Sequence, residues 1–148
     1  IDTLVQRYSH IKDIPSKVLT FGAFKQDFEF VKNNLSAFKI TINNNPEIIN
    51  LVYIGRAGAD MKDAIEILFS AFKEGLAEKS SQFGNIRFHF IGTSYAAKGQ
   101  GISTIKPIAV NIGIGAYVNE STDRVSFYDT IYTLLIADAS RYNIRALS

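Results

Sequence analysis

The chain has 148 residues, of which 47% are hydrophobic and 20% charged, with a formal net charge of +2 and no cysteine. This length and composition predict one globular domain with its own core, and the small charge, without a run of like charges, excludes a nucleic-acid groove as the expected site. The lack of cysteine excludes disulfides and thiolate metal sites and favours a cytoplasmic protein. No apolar stretch in the sequence approaches the length of a membrane-spanning helix.

The first 46 residues predict a linker segment that leads into the domain and contains one short helix and one strand. Apolar residues fall at helical spacing over residues 1–14, and Pro15 ends that predicted helix. A short apolar stretch follows over residues 18–23, and apolar and polar residues alternate over residues 38–42, which predicts a half-buried strand. The asparagines and proline of residues 43–46 predict a turn.

Strand and helix patterns alternate over residues 47–140. The predicted strands are Ile48–Ile54, Ile86–Ile91 and Ala116–Val118, and the predicted helices are Met61–Lys79, Thr104–Ile112 and one from Phe127 to about Ala137. Residues 80–85 predict a polar loop. Strands that alternate with helices at this spacing form βαβ units with parallel pairing. We therefore predict an α/β fold, a Rossmann-like three-layer sandwich whose mostly parallel sheet is flanked by helices.

Several residues predict where these helices begin and end. Asp60 is a predicted N-cap of the first long helix, and Ser126 with Asp129 three residues later resembles a capping box for the last one. Pro107 is compatible with the middle helix only in its first turn, and Gly113 is predicted to end that helix.

Two loops rich in glycine or small residues follow predicted strands, at residues 55–60 and 92–101. Ligands of open parallel sheets bind beyond the carboxyl ends of the strands, where glycine permits close backbone approach and the next helix presents free N–H groups. Arg56 lies in the first loop, and a guanidinium suits bidentate contact with phosphate. The sequence thus predicts an anion site. The alternative for Arg56 is a surface ion pair with Asp60 or Asp63.

Four short motifs follow one another between Leu51 and Ser140. They are Val52-Tyr53-Ile54-Gly55-Arg56 before a helix, Phe88-His89-Phe90-Ile91-Gly92, Ala116-Tyr117-Val118 with Glu120 and Asp123 behind it, and Tyr128-Asp129-Thr130-Ile131-Tyr132 within a helix. In order and spacing they resemble the nucleotide-sugar-binding lobe of GT-B type glycosyltransferases, which have two Rossmann-like lobes. A stretch similar to the crossing into that lobe lies upstream, at Leu19-Thr20-Phe21-Gly22-Ala23.

The resemblance implies a donor site and its residues. The implied diphosphate-binding residues are Gly55, Arg56, Ala57, Gly58 and Lys62, and the implied cleft-lining residues are Gly92, Thr93 and Ser94. Lys62 lies one residue farther from Arg56 than in the common form of the motif, and a solvated helix lysine is its alternative. The resemblance implies a nucleotide-diphosphate sugar as donor substrate, with no other cofactor, no metal and no catalytic residue in this lobe.

We expect the chain to be a fragment of a two-lobe enzyme. The family's lobe continues with a further strand, a Pro-Ser or Pro-Gly-Ser loop and a glutamate pair, none of which follows Ser140. The acceptor lobe would lie outside the chain as well, so this chain alone is expected to be inactive. In the intact enzyme a sugar would pass to a saccharide or lipid-linked acceptor bound by the missing lobe. The expected location is the cytoplasm, with peripheral association to the inner face of the membrane left open.

The residues leave two other classes of function open. The same architecture would suit a non-catalytic module that binds a nucleotide or phosphosugar, or a doubly wound interaction domain. A nicotinamide oxidoreductase is disfavoured because the first loop has two glycines, Gly55 and Gly58, rather than three at the required spacing. His89 lies between two phenylalanines on a predicted strand, which favours a hydrogen-bonded structural histidine over a general base.

Overall fold

The structure is a computed structural model that describes residues 2–17, 23–38, 42, 45–137 and 144–146. Within these ranges the helices are α1 (Asp2–Arg7), α2 (Lys25–Asn33), α3 (Lys62–Glu78), α4 (Ser80–Phe83), α5 (Ile105–Ile112) and α6 (Phe127–Ala137). The strands are β1 (Ile49–Ile54), β2 (Ile86–Ile91), β3 (Val118–Ser121) and β4 (Ile144–Ala146). Short 3-10 turns at Ala59–Met61 and Gly115–Tyr117 precede α3 and β3.

The described strands form one parallel sheet in the order β3-β2-β1-β4. The prediction that no further strand follows Ser140 is wrong, because β4 lies there and pairs with β1. β1 pairs with β2 along its whole length, from Ile49 opposite Ile86 to Ile54 opposite Ile91. The chain builds the sheet outward from β1 in one direction and then returns to the other side of β1. The reversal occurs between β1 and β4, so β1 borders the switch point, where doubly wound sheets open a crevice beyond the carboxyl ends of the strands. The predicted Rossmann-like three-layer α/β fold is confirmed.

The main core lies between one face of the sheet and the helices α3 and α5. Ile65, Phe69 and Phe72 are buried along α3 at spacings of four and three residues, which place side chains on one helix face. The Phe69 ring meets the rings of Phe88 and Phe90 edge-on, with centroids 5.6 and 6.0 Å apart. The buried side of α5 packs into the same cluster. The aromatic side chains of β2 therefore fix where α3 lies.

Helices α2 and α6 form the layer on the opposite side of the sheet. Val31 of α2 packs against Ile131 of α6 in a separate apolar cluster. Ile54 and Ile91, at the ends of β1 and β2, line a cavity of about 340 Å³ together with Thr133 of α6. The carboxyl ends of the two central strands thus meet the first turns of α6.

Most predicted elements lie within a residue of their expected positions. β2 has the predicted bounds, and β1, α3 and α5 each begin one residue later than predicted. Pro107 lies in the first turn of α5, where its missing N–H costs no helical hydrogen bond. Gly113 ends α5 in the left-handed conformation, with a φ of 92°. Ser126 Oγ accepts a hydrogen bond from the Asp129 N–H at 3.0 Å, as the capping-box pattern predicts.

The predicted N-cap of α3 is wrong. The capping position of α3 is Met61, and no side chain bonds to the free N–H groups there. The carboxylate of Asp60 instead forms an ion pair with Arg56, four residues earlier. A charged partner within reach therefore prevails over the local capping preference.

Two other boundaries differ from the prediction. Residues 116–118 are predicted as a strand, but Gly115–Tyr117 is a 3-10 turn, so β3 begins only at Val118. Residues 80–85 are predicted as a loop, but most of this stretch is α4, whose Phe83 packs against the main core. In both places the chain has to turn tightly beside packed aromatic residues, and a single helical turn achieves this.

Part of the linker segment lies outside the described residues. The predicted apolar stretch at residues 18–23, the strand at 38–42 and the turn at 43–46 fall largely there. The predicted N-terminal helix is present as α1 but ends at Arg7, well before Pro15, and a 3-10 turn at Ser9–Ile11 follows it.

The Phe69→Ala variant is expected to lower the free energy of unfolding by about 3–5 kcal/mol, because truncation leaves a cavity between α3 and β2. Phe69 is fully buried, whereas Ile67 on the same helix is 71% exposed. The Ile67→Ala variant is therefore the matched control and is expected to change the free energy by about 0.5 kcal/mol or less. Denaturant titration followed by circular dichroism measures both. Equal losses would contradict the buried face assigned to α3.

Candidate functional site

The first residues of the loop after β1 still form backbone hydrogen bonds with β2 and the loop that follows it. The Gly55 N–H donates to the Ile91 carbonyl at 3.0 Å, and the Ala57 N–H donates to the Thr93 carbonyl at 3.0 Å. Gly55 has a φ of +153°, a conformation that side chains rarely adopt. Ala57 is buried in the main core. The structure therefore binds two of the predicted ligand-facing amides internally and turns the side chain of Ala57 away from solvent.

Arg56 lies beyond the end of β1 and forms a surface ion pair. Its carbonyl accepts a hydrogen bond from the Tyr53 hydroxyl at 2.7 Å, which fixes the main chain at this point. Its guanidinium Nη2 lies 2.7 Å from Asp60 Oδ2. Both side chains pass over Gly58, where a Cβ would lie only 2.5 Å from Asp60 Oδ1 and would also clash with the guanidinium. Gly58 therefore makes room for the ion pair.

Lys62 lies on the exposed side of α3. Its Nζ is 3.7 Å from Glu66 Oε1, one helical turn further on, and both side chains are largely in solvent. Exposed pairs at this spacing contribute only about 0.3–0.5 kcal/mol. The structure gives Lys62 the position of a solvated helix lysine, and its implied role in binding the diphosphate stays a prediction.

The loop after β2 places its three predicted cleft residues differently. Gly92 adopts a left-handed φ of 74° and lines the cleft described below. Thr93 is 3% exposed, and its hydroxyl donates to Glu120 Oε1 at 2.8 Å. Ser94 Oγ accepts a hydrogen bond from the Ala96 N–H at 3.1 Å. Thr93 and Ser94 thus serve the loop itself, and Gly92 is the one of the three that borders the cleft.

The carboxylate of Glu120, in β3, bonds to the loop after β2 and to the start of α5. Its Oε1 accepts hydrogen bonds from the Thr93 hydroxyl and the Thr104 N–H, at 2.8 and 3.1 Å. Its Oε2 accepts from two N–H groups in the first turn of α5, at 3.1 and 2.8 Å. The Thr104 hydroxyl in turn donates to the Ala57 carbonyl at 2.6 Å. Glu120 therefore occupies the N-terminus of α5 and connects β3 to the loops after β1 and β2.

A cleft of about 350 Å³ opens beyond the carboxyl ends of β1 and β2, and we call it the carboxyl-end cleft. Its walls come from the loop after β1, the loop after β2 and the segment that begins α6. Two arginines belong to its described lining, and no carboxylate does. The lining includes two glycines, two arginines and two aromatic residues, namely Gly55, Gly92, Arg56, Arg124, Tyr95 and Phe127.

Arg124 and Tyr95 form one wall of this cleft, and the sequence motifs did not single them out. The Arg124 guanidinium lies 4.6 Å from the centroid of the Tyr95 ring, a favourable cation–π distance. Asp123 Oδ1 accepts a hydrogen bond from the Gly99 N–H at 2.8 Å and so ties the same two segments together. Tyr95 and Phe127 are 67% and 62% exposed. The sequence signal that could have identified Tyr95 and Arg124 is their position in the loops after β2 and β3, which are neighbouring parallel strands.

The chemistry that this cleft offers is the binding of an anion. Its two guanidinium groups, from Arg56 and Arg124, supply positive charge and hydrogen-bond donors. Across the described ranges, no three His, Cys, Asp or Glu side chains come close enough together to hold a metal ion. None of the described helices is long and apolar enough to cross a membrane.

His89 lies on the sheet face opposite the main core and does not line the cleft. Its Nε2 is 2.8 Å from Oδ1 of Asn50, a fully buried side chain. Burial lowers the pKa of His89, and the positive charge of Arg87 lowers it further. The predicted hydrogen bond of His89 is confirmed.

Comparison with known proteins adds no family to these observations. No protein-family model matches the chain. No curated protein matches it, and no solved structure does. The resemblance to glycosyltransferases therefore rests on the sequence motifs given above.

The Glu120→Gln variant is expected to lower the free energy of unfolding by about 2–4 kcal/mol. An amide offers one acceptor oxygen and turns its NH₂ group towards the donors of Thr93 or α5. Denaturant titration measures the loss, and hydrogen exchange at the first amides of α5 should accelerate. Glu47→Gln, at an exposed position, is the control and is expected to change stability by about 0.5 kcal/mol or less. Similar results for the two variants would contradict the role given to Glu120.

His89 is expected to make stability depend on pH. Its pKa in the folded state lies below the ordinary value of 6.5, so the unfolded state binds the proton first as the pH falls. Its contribution is complete above pH 6.5 and is lost as the pH drops towards the lowered pKa. His89→Gln should flatten this dependence below pH 6.5, relative to the wild type. A slope unchanged in His89→Gln would contradict the assignment.

Proposed function

We propose that this chain is the nucleotide-sugar-binding lobe of a GT-B type glycosyltransferase and that the carboxyl-end cleft holds the diphosphate of the donor. The observation that carries the proposal is the position of the cleft. The strand order places the switch point beside β1, and Gly55 and Arg56 lie directly beyond the end of β1. Ligands of doubly wound sheets bind at this place.

The two arginines are the groups that would hold the diphosphate. A guanidinium can donate two parallel hydrogen bonds to one phosphoryl group, and its charge does not depend on pH in the physiological range. Arg56 comes from the loop after β1, and Arg124 comes from the segment before α6. Because the ring of Tyr95 already restricts the Arg124 side chain, binding loses less conformational entropy there.

Helix N-termini contribute less to this proposed site than the glycine loops suggest. The first N–H groups of α5 are bound by Glu120. At α6 the Ser126 hydroxyl caps the helix and donates to the Asp129 carboxylate at 2.7 Å. An additional anion at either helix would meet a carboxylate already in place. The proposed site therefore relies on the side chains of Arg56 and Arg124.

In the intact enzyme the cleft would stabilise the departing diphosphate while the sugar passes to a saccharide or lipid-linked acceptor. Positive groups placed where negative charge develops lower the barrier for such a transfer. The catalytic base and the acceptor site would belong to the other lobe. We place the reaction in the cytoplasm, and a lipid-linked acceptor would bring the enzyme to the inner face of the membrane.

Calorimetric titration with nucleoside diphosphates, nucleotide sugars and the corresponding nucleosides tests the proposal. The diphosphate compounds are expected to bind and the nucleosides to bind much more weakly, because the recognised group is the diphosphate. Arg56→Ala and Arg124→Ala should each weaken binding by about tenfold or more, since each loses hydrogen bonds between charged groups.

Arg7→Ala provides the matched control for these variants. Arg7 is exposed on α1 and outside the cleft, so its loss removes the same charge at a distance. We expect a change of about twofold or less, because salt screens distant charges. Equal effects of Arg7→Ala and Arg56→Ala, or nucleosides that bind as well as diphosphates, would refute the proposal.

A further inference from the structure

We propose that Asp60 is an internal competitor for Arg56, whose guanidinium exchanges the Asp60 carboxylate for a phosphoryl group when the diphosphate binds. The inference rests on the proposed function of the carboxyl-end cleft and names the residue that limits its affinity. It concerns the side chains of the loop after β1.

The geometry of the loop is built around the ion pair. Arg56 Nη2 and Asp60 Oδ2 are 2.7 Å apart, which is the distance of a strong charged hydrogen bond. Both side chains cross the open face of Gly58, where any Cβ would collide with them. A larger residue at this position would require the two side chains to shift.

The carboxylate of Asp60 pairs with Arg56 and does not cap α3. An aspartate next to the start of a helix ordinarily accepts hydrogen bonds from the first free N–H groups. Here α3 begins without any side-chain cap, and Asp60 lies on the side of its paired arginine. Among the described residues, the Asp60 carboxylate therefore bonds to the Arg56 guanidinium alone, and water would solvate it once the guanidinium has another partner.

The pair is weak enough to be exchanged. The side chains of Arg56 and Asp60 are 45% and 61% exposed. Exposed ion pairs of this kind favour the paired arrangement by a factor of about five or less. The main chain of Arg56 is meanwhile fixed by the Tyr53 hydroxyl, so the exchange needs only side-chain rotation. A diphosphate carries more charge than one carboxylate and would displace it.

The test measures binding of inorganic pyrophosphate and of a nucleoside diphosphate to wild type, Asp60→Asn, Arg56→Ala and the double variant. Asn preserves the size of the side chain and removes its charge, so Asp60→Asn should bind pyrophosphate about fivefold more tightly. Competition acts only through Arg56, so the gain should vanish in the double variant when it is compared with Arg56→Ala. A gain that persists without Arg56 would reveal general repulsion and overturn the inference, as would equal or weaker binding by Asp60→Asn.

Asp63→Asn is the matched control, since Asp63 lies in the first turn of α3 and its loss changes the net charge equally. Its effect should be about twofold or less, and a gain equal to that of Asp60→Asn would overturn the inference.

The Arg56 Nε–Hε NMR signal gives a second readout: it should move on addition of pyrophosphate to wild type and already differ in Asp60→Asn alone. If wild type and Arg56→Ala bind pyrophosphate equally, the proposed function itself fails. If only the gain in Asp60→Asn is missing, the inference fails and the proposed function stands.

Discussion

The hydrogen bonds of the Glu120 carboxylate hold together the loops at the carboxyl end of the sheet. The two carboxylate oxygens accept four hydrogen bonds, from the Thr93 hydroxyl and from three N–H groups at the start of α5. A half-buried carboxylate is costly unless its oxygens are satisfied, and charged hydrogen bonds to a helix N-terminus satisfy them well. Because Thr104 also bonds to Ala57, the loops after β1 and β2 cannot move independently of β3. The cleft is shaped by this network.

The protein uses a second carboxylate at the same end of the sheet in a different way. Asp60 makes one close ion pair at the surface, with Arg56, whereas Glu120 is bound from several directions inside the structure. Removing the charge of Glu120 would leave helix N–H groups without an acceptor, but removing that of Asp60 would leave only an exposed guanidinium that water can solvate. Glu120 therefore stabilises the fold, whereas the carboxylate of Asp60 is exposed and can be replaced by another partner of Arg56.

The sequence predicted what local rules determine. The bounds of β2 follow from a short apolar and aromatic run, and the positions of Pro107 and Gly113 follow from backbone restrictions that act within one helix. For Asp60 the sequence offered two roles, the N-cap of α3 and, as the alternative for Arg56, an ion pair with that arginine. Only the three-dimensional path of the loop decides between them, and the structure has the ion pair. Arg124 was not singled out because it meets Tyr95 only when β2 and β3 lie side by side, and no spacing in the sequence reports that contact.

The glycines that first suggested a ligand have explanations within the protein. Gly55 satisfies a backbone conformation, Gly58 gives space to an ion pair, and neither observation requires a bound molecule. The features that support a ligand are instead the exposed side chains that line the cleft. Tyr95 and Phe127 expose most of their aromatic surface at the cleft, although burying such rings is what ordinarily stabilises a fold. The Arg124 guanidinium lies 4.6 Å from the centroid of the Tyr95 ring, so this exposed aromatic surface carries a positive charge, which is the physical basis for proposing an anionic ligand.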